Sequence, residues 1–312
     1  MEIRMFQNQD INGIADLINE IYHVERVGEL TTIEELNQWF DEPGEEIREN
    51  TLVVLHEGKI IGYNALCHVK GDSSIHVYSY GTVHPDFRRK GIGTVLVRKS
   101  IEHLRGRAQK DKQKVIYDQM VRTNSKGQNE LAQKLGLEKH TDLLSYKCNS
   151  LEDLEVTLPK GYSIIAPKLD DAADWALINN DAFSWRLSPD QLTVESVKYE
   201  FASSEFSEQF YLLCVNESGE KIGFVSSYIS DESKGVISTI AVHRNYQGQG
   251  VGKALLREVM NRMKQAGITE IRLTVDTQNP TSAIKLYEAH GFAADKQIIE
   301  YIYTIHPTEE AI

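Results

Sequence analysis

One signature occurs twice in this chain. Thr82-Val83-His84-Pro85-Asp86-Phe87-Arg88-Arg89-Lys90-Gly91-Ile92-Gly93 is answered by Ala241-Val242-His243-Arg244-Asn245-Tyr246-Gln247-Gly248-Gln249-Gly250-Val251-Gly252, with the histidines and the matching glycines 159 positions apart. Leu17-Ile18-Asn19 returns as Leu177-Ile178-Asn179, Gly62 as Gly223, and Asn124 and Gly136 as Asn279 and Gly291, at separations between 155 and 161. Short insertions and deletions leave a drift of this size, so the chain reads as a duplication. Its 312 residues provide for two cores of ordinary domain size. The expected division is 1–148 and 162–312, with 149–161 as a linker whose charges, proline and glycine show no clear period.

Each half reads as a strand, one or two helices, three strands, a helix, a strand, a helix and a final strand. In the second half Val- and Ile-rich runs bounded by turn residues predict strands at 162–166, 210–215, 221–229, 235–242, 268–275 and 297–305. Val251, Leu255, Leu256, Val259, Met260 and Met263 recur on one helical face, and Gly267 stands where a left-handed cap would end that helix. Asn279-Pro280 reads as the cap and first residue of a last helix. The fold class expected is α/β (α+β) in tandem, each domain a mostly antiparallel mixed sheet flanked by helices.

Composition narrows the function. A net charge of −12 argues against nucleic acid as a partner, because phosphate neutralisation needs a basic surface, and mildly favours a cationic substrate. The N-terminus reads as a first strand and helix rather than a signal peptide, and no apolar run approaches a membrane span. Cys67, Cys148 and Cys214 are odd in number and scattered, which fits a cytoplasmic protein without disulfides or a zinc site, and no metal is expected.

The glycine turns carry the chemical signal. Closely spaced glycines between a strand and a helix present backbone N–H groups at the positive end of the helix, where phosphates bind. A P-loop is excluded because Gln247 stands where its first glycine should be and Ala254 where Ser or Thr should be; Lys253 breaks the dinucleotide fingerprint. The turns fit [Arg/Gln]-x-x-Gly-x-Gly instead, as Gln247, Gly250 and Gly252 and as Arg88, Gly91 and Gly93.

With this motif, and with Asn279-Pro280-x-x-Ala283-Ile284-x-Leu286-Tyr287-x-x-x-Gly291-Phe292 after it, the second half resembles the GNAT acetyltransferase superfamily; the first half resembles it more loosely. The resemblance implies an N-acetyltransferase that uses acetyl-CoA as cosubstrate. It implies pyrophosphate binding by Gln247, Gly248, Gln249, Gly250, Val251, Gly252 and Lys253, pantetheine pairing along Ile240, Ala241 and Val242 with one N–H polarising the thioester, a pantetheine contact from Asn279, and Tyr287 as general acid toward the departing thiolate. For Asn279 a helix-cap role stands beside the ligand role.

The first half departs from the pattern. Ala132 stands opposite Tyr287 and Gln128 opposite Ala283, so that copy is expected to be degenerate, though Val83, Arg88, Arg89, Lys90, Gly91, Ile92 and Gly93 keep a possible second CoA site. Many family members carry a glutamate on the strand before the glycine turn, where this chain has Ser238 and Thr239; a water chain or another carboxylate such as Glu300 is left to serve as base. Residues 181–186 point to the substrate wall, with Phe183 and Trp185 read as core side chains before pocket ones, and His84 and His243 as backbone-bonding residues. The acceptor expected is a primary amine of a small molecule or peptide, acetylated by direct attack in a ternary complex. The rival reading is a CoA-binding sensor or scaffold that has lost acetyl transfer.

Overall fold

The computed structural model describes residues 1–25, 28, 30–71, 74–186, 191–203, 206–281 and 283–308. Two compact units emerge, Met1–His140 with Ile299–Ile312, and Thr141–Ile298. These divisions differ from the 1–148 and 162–312 read from the sequence, because each half gives up its final strand. Leu151, Leu154 and Leu158 of the expected linker pack on the core of the second unit, and the Asn261 side-chain amide brackets the Leu154 backbone at 2.9 and 2.8 Å.

With elements numbered along the chain, the first unit contains β1 (Glu2–Met5), α1 (Asp10–Glu25), α2 (Ile33–Phe40), β2 (Leu52–His56), β3 (Lys59–Lys70), β4 (Ser74–Val83), α3 (Ile92–Asp111), β5 (Lys114–Arg122) and α4 (Lys126–Lys134). Its sheet runs β1-β2-β3-β4-β5 and ends on β12 (Ala293–Ile305), whose last residues belong here. Only β4 and β5 of the five are parallel neighbours. One face buries Val97, Ile101 and Leu104 of α3 with Val77, Val115, Tyr301 and Ile305; the other buries Ile14, Leu17 and Ile21 of α1 with Tyr63, Ala65 and Cys67. Strand alternation divides the apolar residues between the two faces, so each covering helix has its own half of the core.

The second unit contains the Thr141 end of β6 (Glu138–Cys148), then β7 (Ser163–Ile165), α5 (Ala172–Ala182), α6 (Val194–Phe201), β8 (Leu212–Val215), β9 (Lys221–Asp231), β10 (Lys234–Val242), α7 (Val251–Gln265), β11 (Glu270–Asp276) and α8 (Ala283–Glu288). Its sheet runs β6-β11-β10-β9-β8-β7, with β10 and β11 parallel and the other pairs antiparallel. All six apolar residues read from the α7 pattern are buried, each contributing about 1.5–3 kcal/mol when fully enclosed. Gly267 has φ +86°, and the Ile268 N–H bonds the Met263 carbonyl, closing the helix as expected. On the opposite face Trp175 of α5 stacks on Phe224 at 3.8 Å between centroids. The last helix departs from expectation: it begins at Ala283, and Asn279 instead forms a side-chain turn, accepting from the Thr281 N–H at 2.9 Å and its hydroxyl at 2.7 Å.

The three cysteines are free and buried, and among the described residues no helix is long and apolar enough to cross a membrane.

Candidate active site

In the second unit β10 and β11 pair through 234–237 and 270–273 and then part. β10 keeps its ladder with β9 to Val242, opposite Gly223, so only its edge toward β11 is given up. Gly223 allows this: a Cβ there would lie 3.0 Å from the Ala241 carbonyl oxygen and 3.2 Å from Val251. A cleft of about 560 Å³ occupies the gap, with Ser238, Thr239, Ile240 and Val242 on one strand and Thr274, Val275 and Asp276 on the other.

The glycine turn forms one end of the cleft. Gly248 and Gly250 have φ +75° and +89°, a left-handed geometry that L side chains rarely adopt, and Gly250 is the N-cap of α7 without any side-chain cap. The first α7 N–H groups have no intrahelical acceptor, since the ladder begins with the Ala254 N–H on the Gly250 carbonyl. Successive open N–H groups beside a positive helix end suit an anion. Gln247, Gly248, Gly250, Val251, Gly252 and Lys253 all line the cleft. Gln249 is not among its lining residues; its Nε2 donates to the Asn245 carbonyl at 3.2 Å, and its Oε1 accepts from the Tyr162 hydroxyl at 3.4 Å. Ala241 also turns away, because strand alternation packs it with Trp175 and Phe224.

Asn279 and Tyr287 line the cleft as well. Among the described residues the Tyr287 hydroxyl makes no hydrogen bond, its ring meets Phe292 edge-on at 6.0 Å, and burial pushes the phenol up to about 12. It is therefore protonated at neutral pH and has a donor to offer.

The wall from α5 and α6 brings in residues the sequence left unassigned or placed elsewhere. Phe183 and Trp185, read as core side chains before pocket ones, both line the cleft, and Phe183 also packs against the core around Trp175 and Phe224, as that reading expected. Arg186 lies over both rings, 4.8 and 5.8 Å from their centroids. Glu200 was not singled out. It reaches the cleft from α6, where the Tyr211 hydroxyl donates to it at 3.0 Å, and a lone glutamate on an amphipathic helix has no sequence signature. Glu300 belongs to the first unit and does not line this cleft. His243 acts on the backbone: its Nδ1 accepts from the Asn245 N–H at 3.3 Å, as the His84 Nδ1 does from Asp86 at 3.2 Å.

The first unit repeats the turn with other contents. Gly91 has φ +84° and is the N-cap of α3, and the Arg88 Nε donates to the Val83 carbonyl at 2.8 Å, but the Arg88 guanidinium is held by Glu25 and Arg89 by Glu130. Lys90 sits over the Phe87 ring at 5.0 Å, Ile92 is buried, and Leu131 lies 3.5 Å from where a Gly93 Cβ would stand. Ala132 is fully buried and has no donor. Where β4 and β5 part, the Tyr117 hydroxyl donates to Ser79 at 2.9 Å and Ser79 to Asn64 at 2.8 Å, so a phenol occupies the place that Leu273 holds in the second unit.

Two family profiles match the halves in turn: the acetyltransferase (GNAT) family over residues 174–292 and the acetyltransferase (GNAT) domain over 48–138. This chain belongs to the GNAT acetyltransferase family. As a tandem GNAT protein it is an acyltransferase. It is 28% identical over 253 residues to a mycothiol acetyltransferase of Actinosynnema mirum, spanning 80% of this chain and 82% of that one. In fold this GNAT chain is similar to a GCN5-related N-acetyltransferase from Sphaerobacter thermophilus (TM-score 0.73, 22% identity, 99% and 97% of the two chains). It is also similar to a tandem GNAT protein from the clavulanic acid biosynthesis pathway, in a form without AcCoA (TM-score 0.69, 16% identity, 99% and 100%).

Proposed function

We propose that the second unit moves an acetyl group from acetyl-CoA to a primary amine of a small molecule or peptide, by direct attack within a ternary complex. One observation carries this reading: a single cleft joins a glycine turn at the start of a 15-residue helix, an unpaired strand edge and a protonated, unengaged phenol.

The N–H groups of the turn from Gln247 to Lys253 hold the pyrophosphate, and the freed edge of β10 around Ile240–Val242 takes the pantetheine amides in place of β11. An N–H of that edge polarises the thioester carbonyl; one such donor is typically worth about 3–4 kcal/mol in the transition state. Asn279 fixes the turn beside the pantetheine. The acceptor arrives as an ammonium with a pKa of about 10.4 and must lose a proton before its lone pair can attack. Two carboxylates line the cleft; Asp276 accepts from the Thr141 hydroxyl and the Gln278 N–H, and Glu200 is assigned to take the proton, through water where needed. The nitrogen–carbon bond forms, the carbon–sulfur bond breaks, and Tyr287 donates a hydrogen bond to the departing sulfur. The nitrogen gives up two protons in all, one to Glu200 before the attack and one from the adduct as the carbon–sulfur bond breaks; one ends on the sulfur as free thiol and the other leaves to solvent, while the Tyr287 phenol keeps its own.

The mycothiol acetyltransferase relatives favour a small-molecule acceptor, and the first unit, with its turn arginines engaged by carboxylates, serves as a partner without its own turnover. Release of free thiol on mixing the protein with acetyl-CoA and a panel of primary amines tests the reading. Amine-dependent release is expected. Tight acetyl-CoA binding without release from any amine would leave a CoA-binding sensor or scaffold, and no binding would remove the cosubstrate assignment.

A further inference from the structure

The first unit holds a cluster that the acetyl-transfer reading does not use. His76 on β4, Asp118 on β5 and Glu300 on β12 converge so that one ligand atom from each lies within 4.8 Å of the other two. The His76 Nε2 is 3.0 Å from the Asp118 Oδ2, and the two side chains are 4% and 0% exposed. Glu300 is 9% exposed and adjoins Asp118; its burial, and then that second carboxylate, push its carboxyl up to about 8. The His76 ring is fixed in orientation by stacking on Tyr78, 4.5 Å away at 26°.

The duplication supplies an independent comparison. The ladder of β10 with β11 follows that of β4 with β5, which puts Val236 in the place of His76 and Thr274 in the place of Asp118, and Ser145 stands directly opposite Thr274. One copy thus carries neutral groups where the other has buried an imidazole and two carboxylates. Burying two adjacent carboxylates is costly, and a shared proton, a neighbouring imidazolium or a bound cation each lowers that cost. The fold does not demand ionisable groups at these positions, since the second unit has Val236 and Thr274 there, the latter exposed on the cleft.

We propose that His76, Asp118 and Glu300 form a binding site for one divalent transition-metal ion of the zinc type, within the first unit and apart from acetyl transfer. The donor set, one imidazole nitrogen and two carboxylate oxygens, suits zinc, with water completing the shell. Tetrahedral bonds of about 2.0–2.1 Å place ligand atoms roughly 3.4 Å apart, so the 3.0 Å His76–Asp118 edge is close to fitting and Glu300 closes by a small movement. The ion would tie β12 to β4 and β5 of the unit it completes.

Cobalt(II) titration of the metal-free full chain, followed by visible absorption, is the test. One ion per chain with a d–d band is expected, displaced by zinc, and at least about 100-fold weaker in His76→Ala and Glu300→Gln. No uptake by the wild type at millimolar cobalt, or uptake unchanged in both variants, overturns the proposal and leaves a proton-sharing cluster. Should either variant fail to fold, X-ray absorption fine structure of zinc on the wild type decides: one imidazole among oxygen neighbours supports the site, and an all-oxygen or multiple-imidazole shell overturns it. Acetyl-CoA binding is read separately and does not bear on this result.

Discussion

Gln247 closes the glycine turn back onto its own strand, with its Nε2 donating to the Val242 carbonyl oxygen at 3.0 Å. Arg88 makes the same bond to Val83 at 2.8 Å in the first unit. The duplicated [Arg/Gln] position is therefore first a structural one: it pins the turn so that the following N–H groups face outward. Removing a hydrogen bond of this kind costs about 0.5–1.5 kcal/mol. Gln247→Ala should accordingly weaken acetyl-CoA binding roughly two- to tenfold in calorimetric titration, whereas Arg88→Ala should leave it unchanged. An equal loss in the two variants would place cofactor in both units.

Gly250→Val is expected to be more severe. At φ +89° a β-branched residue costs on the order of 1–3 kcal/mol of strain, and among the described residues none outside the adjoining turn and helix backbone lies within 4 Å of the Cβ position, so the added side chain enters space assigned to the cofactor. Acetyl-CoA affinity should fall by about 100-fold or more. Gly91→Val, at φ +84° in the first unit, should lower the melting temperature and spare the affinity. The opposite ranking would move the working site to the first unit.

Tyr287→Phe should lower kcat about 100- to 1000-fold and leave acetyl-CoA affinity within twofold. Because Tyr287 works protonated and its phenol stands at about 12, activity that depends on it should persist as pH rises and decline only toward that value. A wild-type alkaline limb below about pH 10 that disappears in the phenylalanine variant would contradict this.

Glu200→Gln should reduce turnover about 100-fold at neutral pH, with partial recovery as pH rises and more of the amine is already neutral. Full activity at neutral pH would dismiss Glu200 as the proton acceptor.

The Asp10 carboxylate is buried, which raises its pKa, but hydrogen bonds from Arg4 at 2.6 and 2.8 Å and from the Gln7 N–H, together with the Arg4 charge, outweigh burial and hold it below the ordinary range. Its folded value lies below its unfolded value of about 3.9, so its contribution is present above about pH 4 and is lost as pH falls through the folded value. Asp10→Asn should cost roughly 2 kcal/mol at pH 7 and less at pH 3 in denaturant titrations. A gap that widens at pH 3 would reverse the sign.

The order of strands and helices, the apolar face of α7 and the left-handed Gly267 could be read along the chain, while the convergence of the glycine turn with Tyr287 came with the resemblance to the family. The first three rest on spacing within one element or on a backbone conformation that few residue types accept. Glu200 could not be read this way, nor the start of α8 at Ala283, nor which of the core and pocket readings holds for Phe183 and Trp185, because each depends on what packs against the segment.

By itself, the sequence determined that one fold is written twice and that only the second copy keeps the tyrosine of the last helix, Tyr287, where the first has Ala132. Those are matters of period and residue type. Tertiary structure decided that the final strand of each half contributes to the unit of the other, and that His76, Asp118 and Glu300 meet. A strand's polar edge can pair with any edge of suitable register, and side chains more than 200 positions apart in sequence share one buried junction once that pairing is made.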